Sequence, residues 1–214
     1  MSAMDRRSVC RLLGSLVILP RSLGLGSPQR IRRDPRCEVE IDVRQPRKTD
    51  PEQSAIRVAL REAAQLLEVD GLCGCWLDVD QTTKYVKELI EYEYFGHGEF
   101  WDPTTKRRIP RVSAIAGSGC TNLPPGFALT INRRGAFFVS SYESGAYHLG
   151  TSLVPGYRGG SREARLSIIY HELPHLRIVR GFPPDAGDPA MVEANSRLVR
   201  VLCDRAMEAG AKRD

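Results

Sequence analysis

Apolar residues recur at helical spacing in the first third of the chain and again in its last quarter. From Glu52 to Leu67, the residues Ala55, Ala59, Leu60, Ala63, Leu66 and Leu67 make one stripe, which predicts a helix closed by Asp70-Gly71. From Gln81 to Tyr94, Val86, Leu89 and Ile90 make a second stripe with Phe95 just beyond it, and Gly96-His97-Gly98 is read as its end. The middle is β-like instead. "RVSAIAG", "FALTIN" and "GAFFVSS" are short, weakly alternating runs, and the last two flank Arg133-Arg134 as a hairpin would. "LPPG" and "VPGYRGG" punctuate that region.

Two more helices follow. Ser161 is a good N-cap and Glu163 suits the opening turn, while Gly181, Pro183 and Pro184 stop the helix near Arg180. Asp188 then caps a last helix with Pro189 at its first position, running to about Ala209. The expected fold class is therefore α+β over residues 53–209. Its parts are two N-terminal helices, a small antiparallel sheet, a buried helix and a C-terminal helix.

The buried helix carries the chemistry. Ile168, Ile178 and Ala164 lie on one side of it, and Leu166, Ile169, Leu173 and Leu176 on the other. A helix apolar nearly all round is buried. Within it stands "HELPH", His171 to His175. Residues four apart share a helix face, so two imidazoles can reach one ion, and Glu172 sits roughly 100° round, beside that ion. Buried imidazoles and a buried carboxylate need partners. A metal would satisfy all three.

This segment resembles the active-site helix of the zincin metallopeptidases, and residues 161–203 are loosely similar to small exported bacterial proteins carrying such a helix. The resemblance implies Zn²⁺ held by His171 and His175, Glu172 as general base, and hydrolysis of a peptide or protein substrate. Two residues depart from that pattern. Pro174 stands between the histidines, where its ring removes a bond to the Tyr170 carbonyl at a cost of about 3 kcal/mol. Arg177 stands where the family prefers an apolar residue. Interruption by Pro174 makes a catalytically inactive, zincin-derived binding or envelope protein the alternative reading.

The third ligand has three candidates. Asp185 follows the turn "GFPPD" that returns the chain towards the helix, and it ranks first. Glu193 ranks second, because the periodicity of the last helix places it with Arg197, Arg200 and Asp204 on the solvated half. Asp188 ranks third. Asn195 falls among Met191, Val192, Leu198, Val199, Leu202, Cys203 and Ala206 on the apolar half. It either orients a metal ligand or bonds buried backbone. His97 and Glu99 in a glycine-bounded loop, the lone His148, and Tyr157 as an oxyanion donor are weaker candidates.

Charge and cysteines place the chain. Residues 1–26 combine Arg6-Arg7, an apolar run from Leu12 to Leu19 and a small-residue stretch, the layout of a twin-arginine-like export signal of a bacterium. Residues 27–52 read as a charged linker. The signal holds four arginines and one aspartate, so +3 of the formal +5 belongs to it and the rest carries only +2. That argues against a nucleic-acid partner. No apolar run approaches the roughly 20 residues of a membrane span. Of six cysteines, Cys10 leaves with the signal, and the remaining five suit an oxidising periplasmic or extracellular space. Cys203, on the buried half of the last helix, is placed to bridge to Cys73 or Cys75.

Overall fold

Three helices, not two, lie between the first strand of the described chain and the central strand. The computed structural model describes residues 40–43, 50–101, 104–106, 114–116, 128–139, 157–185 and 189–209. The expected export signal, Cys37, Cys120, His148 and Asp188 lie outside these residues. Helix α1 spans Pro51–Val69, α2 Gly71–Leu77 and α3 Val79–Glu91. Asp50 starts α1 by accepting from the backbone N–H of Glu52 and Gln53, with Pro51 at the first position. Asp70 repeats the device for α2, accepting from Leu72 and Cys73. The short α2 turns back against the end of α1 so closely that a Cβ on Gly74 would lie 2.5 Å from the Leu67 carbonyl oxygen. Only glycine fits that approach.

The sheet is mixed rather than antiparallel. Strands β1 (Glu40–Val43), β2 (Phe95–Trp101), β3 (Ala114–Ala116) and β4 (Leu129–Asn132) lie in the order β1-β2-β4-β3. The outer pairings are antiparallel, but the central β2–β4 pairing is parallel, with His97 opposite Ile131. Three local expectations are corrected here. Strand β4 does not form a hairpin with "GAFFVSS": residues 133–139 are turns, and β4 pairs with β2 and β3. The stretch expected as a linker contributes β1 and the first residues of α1. Gly96-His97-Gly98 lies inside the central strand and is no helix stop.

Helix α4 (Arg162–Arg177) runs through the middle of the molecule and packs on α1, on β3 and on α5 (Pro189–Ala209). The Ser161 hydroxyl accepts from the Ala164 N–H at 3.1 Å and starts it. Every residue from Leu166 to Pro174 is buried. Tyr170, fully buried, donates its hydroxyl to the Ala63 carbonyl of α1 at 3.0 Å, and burial pushes its phenol pKa upward. Arg162 ties three helices together, bonding Glu62 of α1 and the Met207 carbonyl of α5. Around this frame pack Ile56, Leu60, Leu67, Leu89, Phe95 and Phe137, each contributing about 1.5–3 kcal/mol by leaving water. A disulfide joins Cys73 of α2 to Cys203 of α5 across 130 residues. In the chain-entropy picture a link of that span contributes on the order of 4–5 kcal/mol. Cys75 is also disulfide-bonded. No helix among the described residues is long and apolar enough to cross a membrane.

Candidate metal centre

Pro174 does not end α4, which continues to Arg177. His171 and His175 therefore stay one turn apart on a single helix, with ring centroids 5.3 Å from each other. Past Arg177 the chain turns at Ile178, then at Gly181, whose φ of +84° suits glycine. The turn delivers Phe182 against both imidazoles, at centroid distances of 5.5 and 4.7 Å. Three residues later it delivers Asp185.

Asp185 is 1% exposed and faces both histidines. Its Oδ2 lies 3.0 Å from His171 Nε2 and 3.4 Å from His175 Nε2. Ligand atoms of all three residues fall within 4.8 Å of one another, so the group could hold a metal ion. A tetrahedral zinc with bonds near 2.0–2.1 Å separates its ligand atoms by about 3.3 Å. The two distances to Asp185 bracket that value.

The neighbours fix this arrangement. Asn195 of α5 donates from Nδ2 to Asp185 Oδ1 at 2.6 Å and to the Pro183 carbonyl at 2.8 Å. It thus orients the carboxylate and also bonds buried backbone, so the two roles open at Asn195 hold together. Ser196, next along α5 and 5% exposed, places its hydroxyl 3.2 Å from His171 Nδ1. With Ser196 on Nδ1, Nε2 is the nitrogen that faces Asp185, at hydrogen-bond distance, and the one that would bind an ion, the usual arrangement behind a metal-bound histidine. Ser196 is not legible as a site residue from sequence, since a serine on a helix carries no periodic signal; adjacency to Asn195 is the one hint.

Two atoms of the centre are left over. His175 Nε2 and Glu172 Oε2 are buried without a hydrogen-bond partner. Glu172 is only 5% exposed. Leaving such groups unsatisfied is costly, and a native structure tolerates it where something else satisfies them or where chemistry uses them. A cation shared by His171, His175 and Asp185 would satisfy the first, and the second belongs to the residue next to His171 on the same helix. The donor set of two imidazoles and one carboxylate suits zinc.

The other candidates fall elsewhere. Glu193 is solvated and paired with Arg197 at 2.9 Å, their side chains 66% and 74% exposed. His97 is no exposed loop residue: at 2% exposure it sits in β2 and meets Asp50 Oδ2 at 2.9 Å. Asp50, Glu52 and His97 form a second group whose ligand-type atoms lie within 4.8 Å. There, however, Asp50 Oδ1 caps α1 and Glu52 binds the Arg133 guanidinium at 2.6 Å. Glu99 pairs with Arg134 at 3.3 Å. Tyr157 is no oxyanion donor for the centre, because its hydroxyl donates to Asp204, and burial raises its pKa further. Neither a family model, a curated protein nor a solved structure matches the chain. The centre is therefore read from its own chemistry.

Proposed function

We propose that the chain is a zinc-dependent metallopeptidase of zincin type, exported to an oxidising compartment. The observation that carries this reading is the convergence of His171, His175 and Asp185, with a buried, unpartnered Glu172 carboxylate oxygen on the same helix as the two histidines. His171, His175 and Asp185 would hold the ion. Zinc, when bound, supplies Lewis acidity, which polarises a scissile carbonyl and makes water a better proton donor. Glu172 accepts that proton at its unpartnered oxygen and passes it to the leaving amine. Asn195 and Ser196 keep the carboxylate and one imidazole oriented. Phe182 walls the histidines from water on one side. Strand β3, last in the order of the described sheet and packed on α4, is the edge along which an extended peptide or protein segment would pair.

The depth of the centre favours a second reading. His171, Glu172 and Asp185 are 6%, 5% and 1% exposed, and closed sites of that kind are more often structural than catalytic. On this reading the ion staples α4 to the segment before α5, and the domain is a zincin-derived binding protein without hydrolysis.

Glu172→Gln separates the two. On the peptidase reading the variant keeps its zinc and loses about 10²–10⁴-fold in peptide hydrolysis. A wild-type chain that binds one zinc and hydrolyses no peptide in a mixed library supports the second reading.

A further inference from the structure

Two ring contacts from the histidines, the described structure has a cleft of about 290 Å³. Trp76, Leu77 and Asp78 from the end of α2 line one wall, and Arg177, Val179 and Arg180 from the end of α4 line the other. Trp76 meets Phe182 edge-on at 5.7 Å, and Phe182 meets His175 at 4.7 Å. Trp76, which lines the cleft, and Phe182, which meets the histidines, thus stand in series between the cleft and the metal centre. A few residues of extended peptide, each about 3.3 Å long, span that separation.

Three observations give the cleft a ligand chemistry. First, Arg177 holds a buried Nε with no hydrogen-bond partner, and neither Arg177 nor Arg180 joins an ion pair among the described residues. A buried donor on a charged group calls for an acceptor, and the guanidinium fork matches a carboxylate. Tyr85 feels the Arg177 charge, but burial pushes its phenol above the usual range, so it supplies no counter-anion. Second, Ile178 adopts a left-handed conformation at φ 52° and is 83% exposed. A β-branched residue is strained there. The strained turn, closed by the Val179 N–H on the Pro174 carbonyl at 3.0 Å, ends α4 and leads the chain into Val179 and Arg180. Third, the rest of the lining is mostly apolar, and the single Asp78 cuts two positive charges to a net +1. A lone carboxylate on an apolar body suits that balance better than a phosphate dianion.

We propose that this cleft binds a carboxylate of a peptide, either the chain terminus or an acidic side chain, as a recognition subsite beside the metal centre; the assignment as a substrate subsite rests on the peptidase reading. Its volume, near the roughly 300 Å³ lower end of ligand sites, admits one residue. Arg177 then explains itself: the residue that departs from the zincin pattern on the active helix is the one that reads substrate charge.

The test uses the full zinc-loaded chain carrying Glu172→Gln, so that bound peptides persist. Calorimetry measures three N-terminally blocked pentapeptides of otherwise equal sequence: one with a free C-terminal carboxylate on leucine, its C-terminal amide, and an amide ending in glutamate. At least one carboxylate-bearing peptide binds about tenfold or more tightly than the neutral amide. Preference for the free terminus identifies the chain end as the source, and preference for the glutamyl amide identifies a side chain. Arg177→Gln abolishes the preference, and Arg177→Lys restores part of it. Arg180→Gln, at an exposed position that leaves the fold undisturbed, lowers it about threefold. Equal binding of all three peptides, or a preference that survives both glutamine substitutions, overturns the subsite. Hydrolysis by the wild-type chain that ignores peptide charge removes the subsite and leaves the peptidase. A carboxylate preference in a chain that hydrolyses nothing keeps the binding site and removes the peptidase.

Discussion

The described residues contain two groups in which histidine and carboxylate atoms crowd within 4.8 Å, and they are built for different ends. Around His97, the acids face donors the fold already supplies: backbone N–H groups at the start of α1, the His97 ring and the Arg133 guanidinium. That group latches the first helix to the central strand. Around His171 the partners run out. One carboxylate oxygen serves two imidazoles, and His175 Nε2 and Glu172 Oε2 remain buried without a bond. Proximity is the same in both, but the balance differs: two imidazoles and one carboxylate in the one, one imidazole and two carboxylates in the other. Each group keeps a buried imidazole nitrogen without a hydrogen bond, His97 Nδ1 in the latch and His175 Nε2 in the candidate metal centre. What distinguishes the candidate metal centre is that its leftover nitrogen faces the shared Asp185 carboxylate and that Glu172 Oε2 is unpartnered as well, whereas in the latch the Arg133 guanidinium pairs with Glu52.

The comparison can be broken in order of effect. Asp185→Ala should abolish tight zinc binding, measured by competition with a chromogenic chelator, while Glu193→Ala leaves affinity and stability unchanged within about 0.5 kcal/mol. Loss of zinc on changing Glu193 instead would move the third ligand to α5. Ser196→Ala should weaken zinc by roughly 10–100-fold without unfolding the chain; unchanged affinity would reduce the 3.2 Å contact to His171 to incidental packing. The latch should respond oppositely. His97→Ala should cost about 1–3 kcal/mol in denaturant unfolding and leave zinc affinity alone.

The smallest effect lies in acid. Burial acts to raise the Asp50 pKa, but hydrogen bonds from Glu52 and the charge and hydrogen bond of His97 outweigh it and hold the carboxyl below its ordinary 3.8. A lowered folded-state pKa contributes stability that is complete above 3.8 and is lost as pH falls through the folded value. Asp50→Asn, which can still cap α1, should therefore flatten the acid limb of the stability curve. An unchanged limb would remove the latch from the acid response.

The helices were legible where apolar spacing and caps agreed. Ser161, Gly181 and Pro189 mark α4 and α5 to within a few residues, and the stripe from Ala55 to Leu67 marks α1. The seven-residue α2 is too short for a period, and Asp70-Gly71 at its start reads as the close of the helix before it. The sheet was misread for a related reason. Gly96 and Gly98 look like turn residues, yet they lie in the central strand, and the parallel β2–β4 pairing is a long-range choice that no local hairpin signal reports. Asp185 was legible because a turn of glycine and prolines points it back at the helix. Ser196 and the Arg177 cleft were not, because both depend on which helices meet in space.

X-ray absorption at the zinc edge of the purified full chain tests the central claim most directly. A spectrum with two imidazole nitrogens and at least one carboxylate oxygen near 2.0–2.1 Å, reduced to a single imidazole by His175→Ala, is the expected result. A chain that remains free of zinc at stoichiometric metal, or a spectrum unmoved by His175→Ala but altered by His97→Ala, would contradict it.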